Sequence, residues 1–183
     1  MTEEFFPEMT EGRYGPECEA ELPAWEEFYW AEGPSGPLML DLGGDEEPVY
    51  PPDEEQVRAW EWVSAHQEEA CSRVLQAVFD RMGERLRDLE TEEMDDDEPW
   101  EADLRFPRVQ YPGELRDWMR PRRVHILNVY RDGMAYVGYE FACSWDGEHG
   151  VGVLTHGGRV VEVGDADTSM LSWLARDDAA RGE

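Results

Sequence analysis

Residues 53–89 set apolar side chains on a single helical stripe, and that stripe limits what the rest of the chain can build. Pro51-Pro52 precede Asp53, and Gln56 follows three residues later. This is the order of a capping box, with Asp53 accepting from a first-turn amide and Gln56 reaching back. Glu54 and Glu55 sit where the helix dipole favours anions. Val57, Trp60, Val63, Ala70, Val74, Val78, Met82, Leu86 and Leu89 recur mostly at steps of three and four, which predicts one apolar face. Unbroken, the helix would run roughly 55 Å at about 1.5 Å per residue. A single domain of 183 residues has a radius of gyration of only about 16 Å. The helix is therefore expected to bend or stop near Gly83, or to project from the body.

An apolar helix face needs an apolar surface to cover, and the flanking segments read as strands. Trp25 to Trp30 is rich in aromatics, which suits a strand, and Gly33-Pro34-Ser35-Gly36 is a turn cluster. Leu38, Leu40 and Leu42 alternate with Met39 and Asp41, the period of a half-buried strand. Together they predict an N-terminal hairpin closed by Gly43-Gly44. The C-terminal third reads as a four-stranded meander. Val124–Tyr130 leads through Asp132-Gly133, a strong type I′ signal, into Met134–Cys143. Gly150–Thr155 and Arg159–Val163 follow, joined by His156-Gly157-Gly158. Asp165 or Asp167 is the expected cap of a final short helix carrying Met170, Leu171 and Leu174. The class is α+β: an antiparallel sheet of hairpin and meander, a long helix on one face, a short C-terminal helix, and no βαβ alternation.

Residues 1–22 hold Pro7, Gly12, Gly15, Pro16 and many Glu without periodicity, and are expected as an acidic, mobile or loosely docked arm with Phe5 and Phe6 as anchors. The domain is placed at 23–176 and a tail at 177–183. Glu90–Glu98 reads as an acidic linker, and Glu114–Met119 as a short helix. Trp60, Trp62, Trp118, Trp145 and Trp173 are expected mostly in the core.

The charge is extreme: 44 acids against 16 basic residues, a formal net of −28. It is also uneven, since residues 1–55 carry 17 acids and one Arg. Such a surface repels phosphate backbones and anionic membranes, so neither nucleic acid nor membrane is an expected partner. It accelerates encounter with a basic protein, or it serves solubility alone. No apolar run reaches the roughly 18 residues that span a bilayer, and Met1-Thr2-Glu3-Glu4 lacks a signal-peptide pattern. Cys18, Cys71 and Cys143 are odd in number and far apart, which fits reduced thiols in a cytoplasm.

Enzyme signatures are missing: no GxxxxGK[ST], GxGxxG, GxSxG or HExxH occurs. No catalytic residue, metal ligand or cofactor is assigned. Trp145-Asp146-Gly147-Glu148-His149-Gly150 is the one compact cluster, where Asp146, Glu148 and His149 could hold a metal or move a proton. Turn chemistry accounts for it better. Asp165-Ala166-Asp167 opens like a calcium loop, yet Met170 and Arg176 stand where that loop needs Gly and Glu. Asp95–Glu98 reads as solvated charge. Trp25, Glu26, Glu27, Phe28, Tyr29 and Trp30 crowd four aromatics into six positions, more than a two-faced strand buries, so some are expected at an interface.

The stretches Asp132–Gly138, Trp145–Val153 and Gly158–Gly164 resemble a family of small uncharacterised acidic bacterial proteins carrying a WD-x-EHG-x-GV string. The resemblance reaches weakly to the helix after Pro51-Pro52. It implies an association with polymorphic toxin loci, in which small cytosolic immunity proteins neutralise a toxin. The leading expectation is a non-catalytic immunity-type inhibitor masking a basic partner, with Trp25–Trp30 and Trp145, Asp146, Glu148 and His149 as contact residues. Alternatives are a nucleic-acid mimic that blocks a DNA- or RNA-binding protein, and a metal-dependent enzyme built on Asp146, Glu148 and His149.

Overall fold

The computed structural model describes residues 6–91 and 107–182, with the side chains of 88–91 set aside. Phe5 and most of the acidic linker Glu90–Glu98, including Asp95–Asp97, lie outside the described residues. Among the described residues, seven strands form one sheet in sequence order: β1 (Thr10–Glu11), β2 (Pro16–Glu19), β3 (Met39–Gly43), β4 (Met119–Arg131), β5 (Met134–Cys143), β6 (Val151–His156) and β7 (Arg159–Gly164). The chain is thus a mixed α/β protein with a mostly antiparallel sheet. Among the described residues, no helix is long and apolar enough to cross a membrane.

One pair departs from the expected pattern. β3 runs parallel to β4, with Leu40 opposite Val124 and Leu42 opposite Ile126. A parallel pair requires a crossover, and the two helices α1 (Glu54–Ala65) and α2 (Gln67–Thr91) supply it. The absence of βαβ alternation was therefore the wrong expectation: the long helical segment is the return leg of such a unit. The N-terminal hairpin is also corrected. β3 pairs not with Trp25–Trp30 but with β2, so β1 and β2 draw the stretch expected as an arm into the sheet from Thr10 onward. Burial makes the same point, since Leu22 is fully enclosed.

The capping box forms as expected. The Gln56 amide donates to the Asp53 carboxylate at 3.0 Å, and the Asp53 amide donates to Gln56 Oε1 at 3.2 Å. The stripe does not break at Gly83, which lies inside α2; it breaks at His66. His66 takes φ −122°, outside helical geometry. Its ring stacks on Trp62 at 4.8 Å, with Nδ1 2.9 Å from the Trp62 carbonyl oxygen. Splitting one rod into two lets each half follow the twisted sheet.

Ala59, Trp60, Val63, Cys71, Val74 and Val78 pack with Leu40, Val124, Ile126, Tyr139, Phe141 and Val153 in the main core. The opposite face holds a smaller cluster, Leu127, Val129, Tyr136 and Leu154, covered by Ala175 of α3 (Ser172–Arg181). The expected tail at 177–183 is thus largely helix. Asp178 anchors it, accepting from the Arg159 guanidinium (2.9 and 2.6 Å) and the Tyr136 hydroxyl (2.7 Å). Those donors hold its carboxyl far below the ordinary carboxylate range, even though partial burial opposes ionisation. Neither Asp165 nor Asp167 caps α3: they belong to a 3-10 turn at Ala166–Ser169. The cap comes from the far side of the sequence, with the Ser172 amide donating to Asp45 at 2.9 Å. Glu114–Met119, expected as a helix, is a 3-10 turn over Pro112–Asp117 running into β4.

Two glycines make the second face possible. A Cβ on Gly138 would lie 1.6 Å from the Ser169 carbonyl oxygen, and one on Gly152 would lie 2.4 Å from that of Asp165. The 3-10 turn therefore sits directly on bare backbone. Asp132 and Gly133 both take positive φ (52° and 74°) in the β4–β5 turn, the conformation that Asp-Gly was expected to supply.

Candidate partner-binding surface

Trp25 to Trp30 is not a strand. Pro23–Trp25 forms a 3-10 turn, and an irregular segment follows it. A turn sends residues three apart to the same side, so Trp25 and Phe28 go inward while Glu26, Glu27 and Tyr29 are exposed and Trp30 is half-buried. Trp25 stacks on Tyr139 at 4.6 Å, and Phe28 lies 6.0 Å from Phe141. Arg116 clamps the segment by donating to the carbonyls of Ala24 and Glu27, with its guanidinium 5.0 Å over the Phe28 ring. Gln67, just past the helix break, accepts from the Ala24 amide at 2.9 Å.

The second predicted segment forms the β5–β6 turn. Trp145 is buried in the main core. The Asp146 carboxylate accepts from the His149 amide at 3.0 Å and lies 3.1 Å from His149 Nδ1. Slight burial works against the ionised form of Asp146, but these contacts outweigh it and lower its pKa, and the same hydrogen bond raises that of His149. Gly150, at φ +65°, would place a Cβ 2.5 Å from the Phe141 carbonyl oxygen. The Glu148 side chain is exposed, while its main-chain N–H also bonds Asp146 and its charge helps raise the pKa of His149. Among the described residues, no group of three or more His, Cys, Asp or Glu is placed to hold a metal ion. The WD-x-EHG-x-GV string thus supplies a core Trp, a carboxylate-closed turn and two glycines at close backbone contacts. Trp145 and Asp146 also line a cleft of about 280 Å³ with Arg81, Arg85 and Asp165.

The two segments meet at one end of the sheet, where β4 begins opposite the end of β5, Met119 facing Cys143. The 3-10 turn at Pro112–Asp117 bridges them. On one side the Tyr29 amide donates to the Arg116 carbonyl at 2.7 Å; on the other, the Ser144 amide donates to the Trp118 carbonyl at 2.9 Å. Trp118 is 41% exposed, Tyr111 59% and Tyr29 64%. Trp118 was expected in the core, as was Trp173, which is also exposed. Trp118 follows a 3-10 turn, where helical spacing does not apply. Exposed acids flank two of these aromatics in sequence: Glu26 and Glu27 precede Tyr29, and Asp117 precedes Trp118. Sequence reasoning missed Tyr111 and Trp118; the short aromatic-Pro-Gly run before β4 was the available signal.

A charged row on the α3 side of the sheet was also missed. Glu17, Asp41, Arg123, His125 and Glu140 come from four adjacent strands. Arg123 donates to Glu17 at 3.0 Å and to Asp41 at 2.9 Å. His125, almost wholly buried, has Nδ1 2.7 Å from Asp41 and Nε2 3.2 Å from Glu140. Burial alone would lower its pKa, yet the two carboxylates outweigh burial and push it up to about 9. The alternation of Arg123 and His125 with Val124 and Ile126 is the sequence signal for this row.

No curated protein and no solved structure matches the chain. Residues 23–171 match the family described as a domain of unknown function, DUF6985. That span covers most of the sheet and both long helices, and the chain belongs to this family.

Proposed function

We propose that this chain is a non-catalytic inhibitor of the immunity type, working in the cytoplasm and masking a basic protein such as a toxin. The observation that carries the reading is the exposure of Tyr29, Tyr111 and Trp118 on segments joined at one end of the sheet, with exposed Glu26, Glu27 and Asp117 flanking Tyr29 and Trp118 in sequence. Exposed aromatics supply contact area at low entropic cost and attract cations through their faces. The flanking acids, backed by a net charge of −28, steer a cationic protein toward them. Arg116 and Arg120 at this end donate to the chain's own carbonyls. The three thiols are free, and burial raises each to about 11, which suits inert cysteines rather than nucleophiles.

The test is capture from the source cells with the wild type and with a Tyr29→Ala/Trp118→Ala variant across a salt titration. The expected result is a basic partner whose retention falls as salt rises and falls further in the variant. Capture that ignores both salt and the variant refutes the reading.

A further inference from the structure

The segment Ala20–Phe28, the loop before β3 and the start of β4 enclose an open groove of about 650 Å³. That volume lies within the roughly 300–1,000 Å³ of clefts that hold small ligands or side chains. Glu19, Glu21 and Glu26 stand on its border and are all exposed, while Pro23, Pro37 and Phe28 contribute apolar walls. Arg120 also lines the groove, but its guanidinium donates to the Pro34 carbonyl at 3.3 Å, which fixes the loop that forms one side. The opposite side is held by Arg116 and Gln67 through the Ala24 and Glu27 main chain. The groove is therefore built between two tethered segments.

Trp25 backs the groove wall, with its indole N–H buried. A polypeptide segment bearing cationic side chains brings the complement to the three exposed glutamates.

We propose that this groove is a socket for an arginine- or lysine-bearing segment of a basic protein. The alkyl stem lies along Pro23, Pro37 and the edge of Phe28, as long cationic side chains cover apolar surface while keeping their heads polar. The head sits among Glu19, Glu21 and Glu26. This deepens the reading of the chain as a binder of a basic partner and rests on it, because it names the chemistry of the inserted group.

The test measures binding of an amidated hexa-arginine peptide by calorimetry at low ionic strength. Three proteins are compared: wild type, the groove variant Glu19→Gln/Glu21→Gln/Glu26→Gln, and a control variant Glu47→Gln/Glu61→Gln/Glu68→Gln. Both variants remove three charges from exposed positions, so general attraction falls equally. The groove variant is expected to weaken binding by about tenfold or more, and the control by less than about threefold. The single reversal Glu26→Arg is expected to act in the same direction, and it stands in if the triple variant loses its circular dichroism spectrum. Equal weakening by the two triple variants, or no binding to wild type, overturns the socket. Loss of groove dependence while salt-sensitive partner capture persists removes the socket alone. Capture indifferent to salt and to Trp118 removes the underlying reading, whatever hexa-arginine does.

Discussion

Replacing His125 by Gln tests whether the charged row on the α3 side holds the sheet together as a set of ions. His125 lies between Asp41 and Glu140 and is almost fully buried. Its folded pKa of about 9 lies above the ordinary value of 6.5. Below about pH 6.5 both folded and unfolded chains carry the proton, and the full stabilisation is present. As pH rises, the unfolded chain releases the proton first, and the contribution declines until it is gone above about 9. At about 1.4 kcal/mol per pH unit of separation, this amounts to roughly 3 kcal/mol. The loss of a buried charge partner from two carboxylates is of the same order. Urea unfolding at fixed ionic strength, at pH 6.0, 7.5 and 9.5, measures the difference between wild type and His125→Gln. The thiols also weaken the fold in alkali, because their full or partial burial raises them to about 11, but they are common to both proteins and cancel. The variant is expected to be less stable by about 3 kcal/mol at pH 6.0, with the gap closing toward pH 9.5. A gap that stays constant across this range would show that His125 contributes packing and not charge.

Three further outcomes follow from the geometry. Gly138→Ala drives a Cβ to 1.6 Å from the Ser169 carbonyl oxygen and is expected to cost about 3 kcal/mol or more, whereas Gly147→Ala, with open space around it, stays within about 0.5 kcal/mol; thermal melts of the pair decide. Gly83→Ala is expected to stabilise by about 0.5–1 kcal/mol, because the glycine lies inside α2 and a Cβ there meets only Arg87, at 3.9 Å; an unchanged or lower urea midpoint contradicts this. Asp45→Ala removes the acceptor for the Ser172 amide and is expected to cost about 1 kcal/mol, with faster hydrogen exchange at the first turn of α3 as the specific readout.

The fold and the site were legible to different degrees. The three strand-to-strand turns of the meander were all readable, because a turn depends on the φ angles of two or three consecutive residues. The Asp53–Gln56 capping box was readable for the same reason. Trp25–Trp30 stood out as a surface candidate, but its conformation did not: strand and 3-10 turn differ in which residues they turn outward, and Arg116, about ninety residues away in sequence, decides between them. Trp145, Asp146 and His149 stood out as a cluster, while Tyr111 and Trp118 did not, because helical spacing cannot assign exposure in a 3-10 turn.

Taken alone, the sequence determined the amphipathic helical stretch, the alternating strands, the tight turns and the anionic surface, all set by neighbours within one or two turns of chain. Tertiary structure decided the parallel pairing of β3 with β4, the capping of α3 by Asp45 and the tie between Tyr29 and Arg116. It also decided that Gly138 and Gly152 are seats for the 3-10 turn rather than loose links. Each of these joins residues distant in sequence. Local propensities leave such contacts almost free, and the shared burial of two faces of one sheet selects among them.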